Sequence, residues 1–197
     1  MTSALVLASS SPYRKQLLEK LQLPFVTASP DIDESLFKHE SAKDYVRRLA
    51  IEKAKALSDQ FPDHLIIGSD QCAVLDIAGK QQILGKPHSV DNAIKQLSQS
   101  SGKTVTFLTG LCVYHSKSQH CLAIVEPFNV HFRDLTEAHI RRYIEQEMPL
   151  DCAGSFKSEG MGIRLFSALE GRDPNSLIGL PLIALVDLLQ QHGINVL

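Results

Sequence analysis

Short apolar runs alternate with amphipathic stretches along this chain. Leu5-Val6-Leu7-Ala8 is uninterrupted and predicts a buried strand. Ser9-Ser10-Ser11-Pro12 ends it, and Leu17, Leu18 and Leu21 follow at helical spacing. Ser11 is a good N-cap and Pro12 suits the first helical position. Pro24 to Ala28 predicts a second strand. A helix is expected from about Ser41 to Gln60, with Ser41 as its cap, Asp44 completing a loose capping box, and Val46, Leu49, Ala50, Ala54 and Leu57 apolar. Leu65-Ile66-Ile67 predicts a buried strand. Gly68 then admits close approach of another segment or a ligand, and Asp70 precedes a second apolar run, Cys72-Ala73-Val74-Leu75. Ile77 to Lys80 reads as a turn and Ile83 to Pro87 as a short apolar piece. Asp91 to Gln99 reads as a helix. Thr104–His115 and Leu122–Phe132 are β-branched and apolar, and the polar turn Ser116–His120 joins them into a hairpin. Pro127 implies an edge position or a bulge. A helix from Ala138 to Gln146, a Gly/Ser-rich loop from Asp151 to Gly162, a turn from Gly171 to Asn175 and a helix from Leu180 to Gln191 complete the pattern.

Size and composition narrow the classes. The 197 residues suit one domain, 1–197, or two closely packed lobes. A formal charge of −2 argues against a dedicated nucleic-acid binder. The longest apolar runs are too short to span a bilayer. The first residues lack a basic n-region and meet Ser9-Ser10-Ser11-Pro12 at once, so they read as a strand rather than a signal peptide. Cys72, Cys112, Cys121 and Cys152 form no C-x-x-C pair and no zinc spacing. A reducing cytoplasmic setting follows as the expectation. Cys112 and Cys121 flank the hairpin turn, and they too are expected to be reduced.

The candidate chemistry is spread along the chain. Asp70 is a carboxylate between two apolar runs, costly to bury unless it is paired, metal-bound or facing a cleft. The plain alternative is an Asp that caps or turns the strand end. Arg14 follows a helix start whose free N–H groups and dipole favour an anion. No P-loop pattern is present. Lys53 lies on a helix with Arg47, Arg48 and Lys55, most of which read as surface charges. Lys86 is fixed between Gly85 and Pro87. Glu34 ends an acidic loop. Glu159 lies in the Gly/Ser-rich loop, where loose pairing with Lys157 is the plain alternative to a binding role. Together these residues suit a nucleoside triphosphate. Hydrolysis of a phosphoanhydride needs charge neutralisation and an oriented water more than a covalent nucleophile. The eight histidines are scattered and no Ser-His-Asp spacing is present.

At this point the chain resembles the Maf nucleotide pyrophosphatases. The resemblance is carried by Leu7-Ala8-Ser9-Ser10-Ser11-Pro12-Tyr13-Arg14, Asp33-Glu34, Ala50-Ile51-Glu52-Lys53-Ala54, Gly68-Ser69-Asp70, Gly85-Lys86-Pro87, Thr109-Gly110 and Gly179-Leu180-Pro181-Leu182. It spans essentially the whole chain. Asp70-Gln71, Tyr13 and the run from Cys152 to Gly160 resemble the YceF branch, which is associated with 7-methyl-GTP hydrolysis. The resemblance implies an α/β fold, with an elongated twisted mixed sheet flanked by helices and two lobes around a cleft, like the inosine triphosphatases. It implies hydrolysis of 7-methyl-GTP to 7-methyl-GMP and pyrophosphate with a divalent metal, Mg²⁺ or Mn²⁺. Asp70 is then expected to orient or deprotonate the attacking water, and Glu34 to hold the metal with Asp70. Ser9, Arg14, Lys53 and Lys86 are expected on the phosphates, and Tyr13, Gln71 and Glu159 on the base. The rivals are a broader house-cleaning pyrophosphatase for modified nucleotides and a non-catalytic nucleotide-binding regulator of cell division. The expected partner is the nucleotide, with no nucleic acid and no membrane, and a homodimer is left open.

Overall fold

The structure is a computed structural model and describes residues 4–196. Residues 1–3, the start of the N-terminal apolar stretch, lie outside that range. The described residues form a seven-stranded mixed sheet flanked by helices. In chain order the elements begin with β1 (Leu5–Ala8), α1 (Pro12–Glu19), β2 (Phe25–Ala28), α2 (Ala42–Lys55), β3 (Leu65–Ile77) and β4 (Lys80–Leu84). Then come α3 (Val90–Ser100), β5 (Thr104–His115), β6 (Cys121–Phe132) and α4 (Glu137–Glu147). Two 3₁₀ turns, Ala153–Ser155 and Met161–Leu165, lead to β7 (Phe166–Gly171), α5 (Pro174–Ile178) and α6 (Leu182–Gln191). The strand order is β2-β1-β3-β5-β6-β7, with β4 paired to β3. Among the described residues no helix is long and apolar enough to cross a membrane.

The chain divides into two compact units. The first holds the described residues up to Gln71, Leu108–Glu126 and everything from Asp173 onward. Here β1 pairs in parallel with β2, Leu5 opposite Phe25, and with β3, Leu5 opposite Leu65. Side chains alternate across a strand, so β1 feeds two cores. Leu5 and Leu7 pack with Leu17 and Leu18 of α1 and with Leu185 and Leu189 of α6. Val6 and Ala8 pack with Ala50 and Ala54 of α2. Both faces are covered, which is why β1 and the start of β3 read as unbroken apolar runs.

The second unit is Cys72–Phe107 and Pro127–Arg172. Ala78 and Gly79 both adopt positive φ in the two-residue turn between β3 and β4, as a tight hairpin requires. Phe107, Phe132, Phe156 and Phe166 meet edge to face, with ring centroids 4.8–5.6 Å apart.

Several expectations needed correction. β3 is one strand of 13 residues, so Asp70 is mid-strand and does not cap an end. β7 was missed because its side chains are nearly all exposed and show no apolar alternation. The region read as a turn at Gly171–Asn175 opens α5, capped by Asp173 with Pro174 at its first position. Pro127 stands where the pairing of β6 with β7 begins at Phe128, so it removes no bond from that ladder. The hairpin of β5 and β6 and the caps Ser11 and Ser41 are as expected.

Candidate active site

The site is built around β3 in the first unit. Ile66, Gly68 and Asp70 share one face of the strand, and Ser69 and Gln71 the other. Gly68 is where α2 comes down. A Cβ there would stand 2.0 Å from the Ala50 carbonyl oxygen. Gly110 does the same on β5, where a Cβ would stand 2.1 Å from the Val46 carbonyl oxygen. These two glycines let the helix backbone rest on the sheet. The buried stripe of α2 runs through Val46, Leu49, Ala50 and Ala54, and Lys53 falls on it. Most α2 cations are surface charges as expected, but Lys53 is buried.

Its ammonium donates to Asp70 Oδ1 at 2.6 Å and pairs with Glu34 Oε1 at 2.8 Å. Asp70 is itself buried, whereas the Glu34 side chain is more than half exposed. The Glu34 loop is tied to α2. The Tyr45 hydroxyl donates to the Glu34 carbonyl at 2.8 Å, and Arg48 donates to the Ser35 carbonyl at 2.9 Å. Burial pushes the Asp70 carboxyl above its ordinary value, while Lys53 and Arg14 pull it back down. Burial lowers the Arg14 guanidinium, and Asp70 and Glu34 oppose that shift. All four charges therefore lie within electrostatic reach of one another.

Arg14 is held from behind. Its Nε donates to the Gly179 carbonyl at 2.9 Å. Gly179 has φ 114°, just past the end of α5, a conformation that favours glycine. Ser69 Oγ lies 2.9 Å from the same carbonyl and 2.9 Å from that of Gly110. Ser9 is buried, and its Oγ accepts from the Ser11 N–H at 3.1 Å, which leaves its hydroxyl proton to donate. Ser11 caps α1, and Tyr13 is exposed on its first turn. Gln71 spends its amide N–H groups on Thr109 Oγ1 at 3.0 Å and on the Ser176 carbonyl at 2.7 Å. In this structure it fastens α5 to β3.

The sequence reading singled out no role for Ser69 or for the carbonyl of Gly179. Asp173 was missed as well. It is fully buried, and its carboxylate accepts from the backbone N–H groups of Asn175 and Ile183, both at 2.8 Å. A serine between Gly68 and Asp70 in a buried strand was the available signal, since a buried hydroxyl needs a partner.

The second unit holds Lys86 and Glu159. Lys86 is exposed, in a turn bolted to α3. Gln96 donates to the Gly85 carbonyl at 3.1 Å, and Asn92 to the Pro87 carbonyl at 3.0 Å. Glu159 is exposed and accepts from Ser158 Oγ at 3.2 Å. Lys157 pairs with Glu147 at 3.6 Å rather than with Glu159.

The family described as Maf-like protein matches residues 4–192. The chain belongs to the Maf family. Three relatives are each named 7-methyl-GTP pyrophosphatase. The one from Colwellia psychrerythraea is 61% identical over 98% of this chain and 94% of its own length. The one from Pseudomonas aeruginosa is 58% identical over 98% of both. The one from Alcanivorax borkumensis is 57% identical over 98% of this chain and 96% of its own length.

The donor set of this Maf chain suits a hard divalent cation. Asp70 and Glu34 are both oxygen donors, and both face the Lys53 ammonium. Among the described residues no group of three or more His, Cys, Asp or Glu side chains is arranged to hold a metal. Two carboxylates with water and phosphate oxygens completing the shell is the usual habit of Mg²⁺.

Proposed function

We propose that this protein is a nucleoside triphosphate pyrophosphatase that hydrolyses 7-methyl-GTP to 7-methyl-GMP and pyrophosphate with a divalent metal. The observation that carries the reading is the Lys53–Asp70–Glu34 cluster beside Arg14, in a chain whose Maf relatives bear that name. Asp70 accepts a proton from a water. The water oxygen attacks the α-phosphorus, and the α–β bridging oxygen leaves with pyrophosphate. Arg14 and Lys53 supply fixed positive charge for the phosphate oxygens. Ser9 adds a hydroxyl donor, and the N-terminus of α1 adds the positive end of its dipole. Asp70 and Glu34 would hold Mg²⁺ or Mn²⁺, which would neutralise phosphate charge. The parts of Lys86 on phosphate and of Tyr13 and Glu159 on the base rest on the motifs they share with the family. Methylation at N7 makes guanine cationic, and an aromatic face or a carboxylate then favours it.

The test measures pyrophosphate release from 7-methyl-GTP, GTP, dTTP, UTP and inosine triphosphate, each with Mg²⁺, with Mn²⁺ and with chelator. The proposal expects 7-methyl-GTP to have the highest kcat/KM and chelator to abolish turnover. Equal rates on all substrates would replace it with a broad house-cleaning activity. Binding without release would leave a nucleotide-binding regulator.

A further inference from the structure

The second unit carries a cavity of about 370 Å³, none of whose lining residues belongs to the site above. It lies where the end of β6, α4 and the 3₁₀ turn Met161–Leu165 come together. Arg133, Arg142 and Arg164 line it, one from each of these segments, and all three are exposed. Among the described residues none of these guanidinium groups has an ion pair or a side-chain hydrogen bond. Their neighbour Arg141 shows the contrast, since it pairs with Glu137 at 2.7 Å. The lining includes one carboxylate, Asp134, whose Oδ1 rests against the Gly102 turn. His139 is also in the lining, and its Nδ1 accepts from the Thr136 N–H at 3.4 Å, which leaves Nε2 for another partner. Buried Tyr143 and Leu165 give the cavity an apolar floor.

Like charges gathered around one hollow repel unless an anion sits among them. Guanidinium forks match phosphate oxygens two at a time. A cavity of this size is ordinary for a small organic ligand. We propose that this cavity binds an organic phosphate, with Arg133, Arg142 and Arg164 on the phosphate and the floor of Tyr143 and Leu165 under its organic part. The proposal does not rest on the reaction assigned above.

The test titrates guanosine monophosphate into ¹⁵N-labelled protein and follows the backbone amides of Leu135, Tyr143 and Leu165. A parallel titration uses inorganic pyrophosphate. Saturable shifts of those amides are expected with guanosine monophosphate, and tighter binding of it than of pyrophosphate. In Arg133→Ala/Arg142→Ala/Arg164→Ala the affinity read at those amides should fall at least about tenfold. Amides that do not move, or a triple variant that binds like the parent, would overturn the proposal. Equal affinity for pyrophosphate would overturn the part given to the floor. If the triple variant does not fold, the parent titration decides alone.

Discussion

Gly68→Ala probes the step from packing to chemistry. The added Cβ would stand 2.0 Å from the Ala50 carbonyl oxygen and 2.9 Å from the Ala54 nitrogen. Ordinary contact begins at 3.4 Å, so α2 must retreat by about 1.4 Å at this point. Both atoms are backbone, and no rotamer change relieves the overlap. Overpacking of this kind costs about 1–3 kcal/mol. For a chain of this length each kcal/mol lowers Tm by about 2–4 °C, which gives a fall of about 2–12 °C. Lys53 lies on the same face of α2, and its contacts of 2.6 Å to Asp70 and 2.8 Å to Glu34 do not survive a shift of that size. A misplacement of about 1 Å at a catalytic group costs on the order of 100-fold in rate. Thermal melts by circular dichroism and pyrophosphate release from 7-methyl-GTP measure the two effects. The control is Gly85→Ala, where an added Cβ meets nothing within 4 Å, and its stability should stay within about 0.5 kcal/mol of the parent. A Gly68→Ala variant that melts with the parent would refute the packing argument. One that melts early but turns over normally would refute the link from helix approach to Lys53.

Asp70→Asn keeps the shape but can neither take a proton nor offer a full charge. Its turnover should fall by ~100- to 10,000-fold with the fold intact by circular dichroism, and near-normal turnover would remove Asp70 from the mechanism. The Asp70 carboxyl is raised above 3.8 in the fold, so the native state binds its proton more tightly than the unfolded chain does. In the metal-free protein the Asp70 contribution to stability should therefore grow as pH falls through the folded-state value, and melts of parent and Asp70→Asn in chelator over that pH range check it. Cys112 and Cys121 have sulfurs 3.5 Å apart, both as thiols, and burial together with Cys121 pushes the Cys112 thiol up, which disfavours the nucleophilic thiolate. Thiol titration of unreduced, denatured protein should count all four cysteines, and two missing thiols would contradict this.

The elements legible in the sequence are those with a strong local signal. Ser11-Pro12 and Ser41 mark helix starts because a cap needs a specific side chain at one position. Thr104–His115 reads as a strand because it is β-branched and mostly buried. β7 carries no such pattern. Its pairing with β6 sets its conformation, Phe128 opposite Gly171, and that partner lies about forty residues away in sequence. Asp70 and Glu34 could be chosen as carboxylates near cations. What no local pattern shows is that Gly68 and Gly110 seat α2 on the sheet. Lys53 was chosen as a cation of a family motif, and its burial was legible too, because it falls on the buried stripe of its own helix while Lys43 and Lys55 do not. No local pattern shows the two carbonyl partners of Ser69 either, which come from β5 and from the end of α5.

The charges at the site bear on how a triphosphate is accepted. Lys53 and Arg14 carry two positive charges, and Asp70 and Glu34 carry two negative ones. A neutral cluster has no net attraction for a polyanion. Both carboxylates already face Lys53, at 2.6 and 2.8 Å, so its ammonium is not free to serve phosphate oxygens. Carboxylates beside a phosphate site weaken binding unless something else takes up their charge. Two uses are open to them. Asp70 takes a proton from water, and both carboxylates hold a cation. The first use alone leaves Glu34 unexplained, because its side chain is more than half exposed and faces Lys53 at 2.8 Å. The second accounts for the pair and frees Lys53 at the same time. On this argument Glu34→Gln should raise the Mg²⁺ concentration needed for half-maximal turnover. A variant with the parent's Mg²⁺ dependence would show that Glu34 holds only Lys53.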